Sequence, residues 1–280
     1  MTDVARAACV IGWPVSHSRS PIIHKYWLKK YSIAGDYRQE AVAPADFAAF
    51  VGALGEKGYV GANVTLPHKV RALELSDPDR RAVAVGAANT LWLDNGKLKS
   101  TNTDVEGFVS NLDASVAGWD RAIDKAVVLG AGGAARAVIQ GLLERGAERI
   151  ALVNRSQERA KMLRKEFGSV VEPALWEECT PLLNGAALLV NTTSLGMAGQ
   201  PELEINLRSL PPSAVVVDLV YAPLKTELLR QAEERGFRFA DGLGMLLHQA
   251  VRGFELWFGV KPEVTPELRA LVERDIVEGH

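Results

Sequence analysis

The segment KAVVLGAGGAARAVIQGLLERGAERIALVNRS, from Lys125 to Ser156, places a short apolar run before a glycine turn, an amphipathic stretch and a second apolar run. This order dictates a buried strand, a tight turn, a helix and a second, parallel strand, because parallel neighbours need a helical crossover between them. Gly130 makes the turn, Gly132 lets a ligand approach the backbone, and Ala135 stands where the third glycine of G-x-G-x-x-G would be, small enough for helix to lie close on strand. An anion here would sit at the N-terminus of the helix carrying Ala134 to Leu143, where free N–H groups and the helix dipole favour negative charge. Asn154, Arg155 and Ser156 end the next strand and Arg159 follows, with no Asp or Glu for a ribose 2′-hydroxyl. The two arginines, four apart at a helix start, can converge on a phosphate, and Ser156 can cap that helix and donate to the same oxygens. The pattern therefore favours NADP over NAD.

The same alternation runs the length of the chain. AACVIG, YRQEAV, GYVGANV, AANTLWL, KAVVLGAG, RIALVNR, ALLVNTT and AVVVDLV read as strands, separated by helix-length amphipathic segments. Ser20-Pro21 and Pro44 mark helix starts, and Thr103 to Glu106 has the form of a capping box. The expectation is an α/β protein with parallel strands in two domains. The seam falls in STNTDVEGFVSNLDASVAGWDRAIDK, and two helical runs, LLHQAVRGFELWF and PELRALVERDI, close the chain. The first is apolar around most of its circumference, as expected of a helix wedged between domains.

At 280 residues and 48% hydrophobic the chain can fill two cores, and a formal charge of −2 with both signs intermixed offers no basic face to nucleic acid. No apolar run reaches membrane-spanning length, and the first residues lack the pattern of a signal peptide, so a cytoplasmic location is expected. Cys9 and Cys179 read as free thiols. The five histidines form no ligand spacing with them, so no metal is expected.

Polar clusters recur at strand ends: VSHSRSP, NVTLPHK, AANT and TNTD. Ligands of open α/β sheets bind at the carboxyl ends of strands, so these four clusters suggest one polar pocket. Ser18, Ser20, Asn63, Thr65, Asn89 and Thr90 suit a small, polyhydroxylated ligand that can carry a carboxylate. Lys69 is anomalous, since it follows Pro67 at an expected helix start, where the dipole opposes a cation by roughly half a kcal/mol. Asp104 occupies the opposite situation, a helix start that favours its charge.

GWPVSHSRSP, NVTLPHK, GAANTL, NTD, GAGGAAR, NRS, NTTSLGM, DLVYAP and DGLGMLLHQA, in this order and across nearly the whole chain, resemble the shikimate dehydrogenase family. The resemblance implies an N-terminal α/β domain for shikimate or 3-dehydroshikimate, residues 1–104 with helices 245–280 returning to it. It also implies a Rossmann-like, doubly wound NADP(H) domain, residues 105–244, and an active site in the cleft between the two. On this resemblance Ser18 and Ser20 hold the substrate carboxylate. Asn63, Thr65, Asn89, Tyr221, Gln249 and Asp104 surround the ring, and Lys69 and Asp104 form the catalytic pair. Cofactor contacts are implied at Gly130, Ala131, Gly132, Gly133, Ala134, Asn154, Arg155, Ser156, Arg159, Thr192, Thr193, Leu219, Gly242 and Met245.

Trp13, where many relatives carry a small polar residue, and Ser156, replacing a frequent threonine, depart from the family pattern. Ketone reduction by a nicotinamide needs a proton donor at the carbonyl oxygen, the role expected of Lys69 with Asp104 orienting it. Two other readings remain open: a quinate/shikimate dehydrogenase with relaxed cofactor use, and a non-catalytic NADP-sensing relative. The expected partner is a small molecule, shikimate or 3-dehydroshikimate, with no nucleic acid or membrane, and a monomer or homodimer is expected.

Overall fold

The computed structural model describes residues 6–279, which divide into two units: one running to Thr103 and resuming at Gln249, the other Asp104–His248. The sequence places these boundaries at 104 and 245. The second lies inside one uninterrupted helix, α10 below, where no turn marks a break in the sequence.

The first unit begins β1 (Arg6–Gly12), α1 (Ser20–Lys30), β2 (Gly35–Ala41), α2 (Phe47–Gly52), β3 (Tyr59–Val64) and α3 (Lys69–Glu74). It continues with β4 (Asp77–Pro78), α4 (Arg80–Val85), β5 (Thr90–Asp94) and β6 (Lys97–Thr101). Its sheet has the order β2-β1-β3-β5-β6-β4. The expectation of parallel strands holds for β1 with β2 and β3, but β5 runs antiparallel to both β3 and β6. The cause is local: Asn95 and Gly96, with φ of 50° and 77°, form a two-residue link of the kind that joins hairpins, and so short a link cannot cross over. Cys9 and Ile11 of β1 enter a core with Phe47, Val51, Leu54, Ala62 and Leu91. The alternate residues Ala8 and Val10 are equally buried and, by the period of two, face the other side, where Ala8 pairs with Tyr37.

The second unit comprises α5 (Asp104–Ser115), β7 (Ala126–Leu129), α6 (Gly133–Glu144), β8 (Ile150–Val153), α7 (Gln157–Phe167) and β9 (Val171–Ala174). Then come α8 (Cys179–Leu182), β10 (Leu188–Asn191), β11 (Val215–Asp218), α9 (Glu227–Glu234) and β12 (Arg238–Ala240). All pairings in its sheet are parallel, in the order β12-β11-β10-β7-β8-β9. The chain winds outward from β7 through β8 to β9, returns, and winds the other way from β10, which is the doubly wound Rossmann arrangement. Val128, Leu152, Val190 and Val217 feed a core with α5 and α6, while Val127, Ala151, Leu189 and Val216 feed another with α8 and α9. Being buried on both faces explains why these strands are continuous apolar runs.

Helix α10 (Gly242–Phe258) enters the first unit at Gln249, and α11 (Pro266–Glu278) completes it. Thr265 caps α11 by accepting from Leu268 N–H. Trp257 of α10 donates its indole N–H to the Leu91 carbonyl at 2.8 Å, lying across Gly61 of β3. A Cβ on Gly61 would stand 2.1 Å from that indole nitrogen and 2.4 Å from the Leu91 oxygen. Gly61→Ala is expected to destabilise the protein by about 1–3 kcal/mol through overpacking. Gly52→Ala, where nothing lies within 4 Å of the new methyl, should change stability by less than about 1 kcal/mol. Urea unfolding of both variants checks this, and equal midpoints would refute the packing argument.

Candidate active site

In the first unit three of the polar clusters, those of Asn63, of Asn89 with Thr90, and of Thr103, meet because of the reversed strand. Register pairs Asn63, near the end of β3, with Thr90, the first residue of β5, and Thr90 with Thr101 at the end of β6. Asn89 and Thr90 therefore stand at an amino end, contrary to the expectation of carboxyl ends alone, yet antiparallel pairing brings them to the same sheet edge as Asn63. Asn63 Nδ2 donates to Thr90 Oγ1 (3.2 Å) and, more weakly, to the Asn89 carbonyl (3.4 Å). Asn89 Oδ1 accepts from Thr103 N (2.7 Å), Thr103 Oγ1 (3.1 Å) and Thr90 Oγ1 (3.1 Å). Thr103 Oγ1 also reaches Gln249 Oε1 at 3.5 Å. All five side chains are buried.

Tyr37, Gln39 and His24 carry no signal for a site in the sequence, yet each bears on one. The Tyr37 hydroxyl donates to Asn63 Oδ1 at 2.6 Å, which fixes which end of that amide is which. Burial pushes this phenol well above its ordinary pKa, so it stays a donor, and the Ser20 side chain also reaches it. Gln39 Nε2 donates to the carbonyls of Val15, Ser16 and Ser18 at 3.0–3.3 Å, holding the loop that presents Ser18 and Ser20. Between those serines, Arg19 pairs with Asp275 of α11 at 3.1 Å. His24 stacks on Tyr37, with centroids 4.1 Å apart and planes within 9°, and is flanked by Trp27, Phe254 and Trp257.

Lys69 is the first residue of α3, the helix start read from the sequence. His68 anchors the turn before it: its ring stacks on Phe47 at 4.3 Å and Nε2 meets the Val42 carbonyl at 2.8 Å. Ala88 N–H binds the Lys69 carbonyl at 2.9 Å, joining this turn to the segment that presents Asn89. Thr65 is held by its N–H to the Ile11 carbonyl, and only a glycine at position 12 leaves room for its methyl, 2.5 Å from where a Cβ would be. Trp13 N–H donates to the Leu66 carbonyl, and the Trp13 ring is half exposed at 52%.

In the second unit the glycine turn after β7 adjoins the loop after β10, the point where the winding reverses and ligands of such sheets bind. Gly130 has φ of 99°, and a Cβ there would meet Thr192 Oγ1 at 2.8 Å and Thr193 Cγ2 at 2.9 Å. Gly132 caps α6 and Gly133 begins it; both are exposed, and a Cβ on either would project into open space. Ala134 follows in the first turn, and Ala135 is fully buried against the sheet. An open helix N-terminus without side chains fits a pyrophosphate.

Arg155, Ser156 and Arg159 are exposed at the start of α7, and Asn154 Nδ2 donates to the Ser156 carbonyl at 2.8 Å. Ser156 occupies the N-cap position but makes no side-chain cap bond, which corrects the capping expectation. The turn is closed by Asn154 instead, and the Ser156 hydroxyl stays exposed. Arg136 of α6, unremarked in the sequence, forms a two-bond ion pair with Glu166 of α7 and so braces the two helices that would hold a dinucleotide. Ala131, Leu219 and Met245 sit half-buried on one core, and Gly242 backs onto the Leu219 carbonyl, 2.2 Å from where a Cβ would be. Tyr221 is half-buried in the loop after β11, and Asp104 begins α5.

A Rossmann-like unit with an open glycine turn, joined in one chain to an α/β unit with a buried hydroxyl and amide network, defines the class of two-unit dinucleotide-dependent enzymes. Three family descriptions match the chain: "Shikimate dehydrogenase substrate binding domain" at residues 10–91, "Shikimate / quinate 5-dehydrogenase" at 114–218, and "Shikimate 5'-dehydrogenase C-terminal domain" at 242–271. The chain is 64% identical to a shikimate dehydrogenase (NADP(+)) of Rhodopseudomonas palustris strain TIE-1, over 99% of each protein. It resembles the shikimate 5-dehydrogenase of Thermus thermophilus solved with NADP(H) and shikimate, with TM-score 0.83, 33% identity, and coverage of 98% of this chain and 100% of that one. It also resembles a quinate dehydrogenase of Corynebacterium glutamicum solved with NAD, with TM-score 0.89, 28% identity, and coverage of 96% and 98%. The chain belongs to the shikimate dehydrogenase family.

Burial pushes the His24 imidazole down from 6.5 to about 3, against a smaller opposing effect of the Asn63 side chain. The folded protein thus keeps His24 neutral, whereas the unfolded chain takes up a proton below pH 6.5. This contribution to stability is intact above pH 6.5 and is lost as pH falls toward 3, at about 1.4 kcal/mol per pH unit. Between pH 7 and 5, the protein should lose about 2 kcal/mol more than His24→Phe, which keeps the stacking ring but not the proton site. Urea titrations of both proteins at the two pH values measure the difference, and equal losses would mean that His24 is not buried as a neutral ring.

Proposed function

We propose that the protein is an NADP-dependent shikimate dehydrogenase, interconverting 3-dehydroshikimate and shikimate. The observation that carries the choice of cofactor is the end of β8, where Asn154, Arg155 and Ser156 take the place of the Asp or Glu that would bind a ribose 2′-hydroxyl, with Arg159 following and Glu158 of the same turn paired with Lys161. Near-full-length identity to curated NADP(+) enzymes supports the same reading. The first unit supplies the polyol-binding groups: Ser18 and Ser20 for the carboxylate, and Asn63, Thr65, Asn89 and Gln249 for ring hydroxyls, with Tyr221 from the second unit. The buried network holds Asn63 and Asn89 in one orientation, so a ligand meets those two amides already in position.

The bound nicotinamide supplies or takes the hydride. In reduction, Lys69 gives its proton to the carbonyl oxygen as that oxygen becomes a hydroxyl, and in oxidation its neutral amine takes the proton back. Asp104 orients the amine and accepts a hydrogen bond from the reacting hydroxyl. Gly130, Gly132, Gly133 and the first turn of α6 receive the pyrophosphate; Thr192, Thr193, Leu219, Gly242 and Met245 border the nicotinamide end. The reading extends to a cytoplasmic enzyme, monomeric or homodimeric, without a nucleic-acid partner.

Absorbance at the NADPH band during incubation with shikimate and NADP, repeated with quinate and NAD, tests substrate and cofactor together. Turnover mainly with quinate and NAD would replace the reading with that of a quinate dehydrogenase, and cofactor binding without turnover would make the protein a sensor. Lys69→Ala and Asp104→Ala should each lower kcat by about 10²- to 10⁴-fold at saturating substrate. Near-native kcat in either variant would remove that residue from the chemistry. Arg155→Ala should raise the KM for NADPH about tenfold and leave that for NADH unchanged, since only the former carries the 2′-phosphate. Equal changes would remove the phosphate assignment.

A further inference from the structure

Among the described residues Asp218 is the only buried carboxylate, with 0% exposure. It ends β11 beside Asn191, which ends β10. Its Oδ1 accepts from Asn191 Nδ2 (2.9 Å) and from Val220 N (3.0 Å), and its Oδ2 from Thr226 Oγ1 (2.6 Å). Asn191 extends the chain of bonds: its Oδ1 accepts from Thr193 N (3.0 Å) and Thr193 Oγ1 (2.7 Å), and its Nδ2 also reaches the Leu195 carbonyl at 3.2 Å. Thr193 Oγ1 in turn accepts from Leu195 N at 3.1 Å. One carboxylate thus pins two loops, 192–195 and 219–226, each over the end of a central strand. Thr192 lies at the glycine turn, bonding the Leu129 carbonyl through Oγ1 at 2.7 Å, with that Oγ1 2.8 Å from where a Cβ on Gly130 would be.

Desolvation raises the Asp218 pKa above its ordinary value, and the bonds from Thr226, Val220 and Asn191 oppose that rise. An apolar side chain would fill this space without the cost of a buried charge. What a carboxylate adds is direction: charge-assisted bonds to three donors hold each loop in one arrangement.

We propose that Asp218 is a positioning residue for the nicotinamide end of the cofactor site, acting through Asn191 and Thr226 on the loops that carry Thr192, Thr193, Leu219 and Tyr221. It touches neither cofactor nor substrate. The inference rests on the NADP reading of the second unit, and it separates the two ends of the cofactor. Loops 192–195 and 219–226 belong to the nicotinamide end, whereas Arg155, Ser156 and Arg159 belong to the 2′-phosphate end.

The test is titration of the apoprotein with NADPH, followed by nicotinamide fluorescence, and with adenosine 2′,5′-bisphosphate, followed by calorimetry. In Asp218→Ala, Kd for NADPH should rise about tenfold while Kd for the bisphosphate stays within about twofold. Asp218→Asn, which can still accept from Asn191 and Val220, should recover most of the NADPH affinity. Thr226→Val, which removes the donor to Asp218 and the weak 3.4 Å cap of α9 at Leu229 N–H while keeping the side-chain volume, should weaken NADPH about threefold and leave the bisphosphate unchanged; it carries the test if Asp218→Ala does not fold. Unchanged NADPH affinity in the folded variants, or equal weakening of both ligands, overturns the proposal, the latter because it marks a general loss of structure. Failure of the unaltered protein to bind NADPH would instead overturn the cofactor reading.

Discussion

The first unit depends on a single amide oxygen. Asn89 Oδ1 accepts from the backbone and hydroxyl of Thr103 and from the hydroxyl of Thr90, all within a buried environment where an unmet donor is costly. These bonds tie the start of β5 to the segment following β6. They make a polar interior possible at a sheet edge, and polar groups in fixed orientations are what recognition of a polyol requires. The reversal of β5 is the prerequisite, because a parallel strand would have carried Asn89 and Thr90 to the opposite edge from Asn63.

Around that network, aromatic packing fixes the polar groups. Tyr37 holds the Asn63 amide, His24 stacks on Tyr37, and Trp257 lies across Gly61 while bonding the Leu91 carbonyl. His24 remains uncharged there because an imidazolium among Trp27, Phe254 and Trp257 would lack solvation. The second unit solves the same problem in a different way. Its strands are apolar on both faces, polar groups are confined to strand ends, and a buried carboxylate rather than an aromatic layer sets the loops.

Much of this is legible in the chain. The glycine turn, the absence of a carboxylate at the end of β8, the helix starting at Lys69 and the apolar strands of the second sheet depend on local patterns, and local patterns survive folding. The hairpin at Asn95 and Gly96 is also written there, in a dipeptide that favours left-handed backbone, but the regular alternation of strand and helix around it points to uniform parallel pairing instead. Strand β9, with Pro173 at the sheet edge, is hidden because a proline-bearing edge strand carries little apolar signal. Ser156 sits where a capping residue belongs and does not cap, since Asn154 satisfies the turn from the other side.

Sequence alone determined the two α/β units, the dinucleotide turn and the roster of polar residues, because each is encoded by residues near one another in the chain. Only tertiary structure decided how that roster is used. Tyr37 orients Asn63 from 26 residues away, Gln39 holds the serine loop, and Asp218 joins loops that follow two different strands. Each depends on strand order and register, through which residues far apart in sequence become hydrogen-bond partners. A side chain that acts through another leaves no mark on the local pattern.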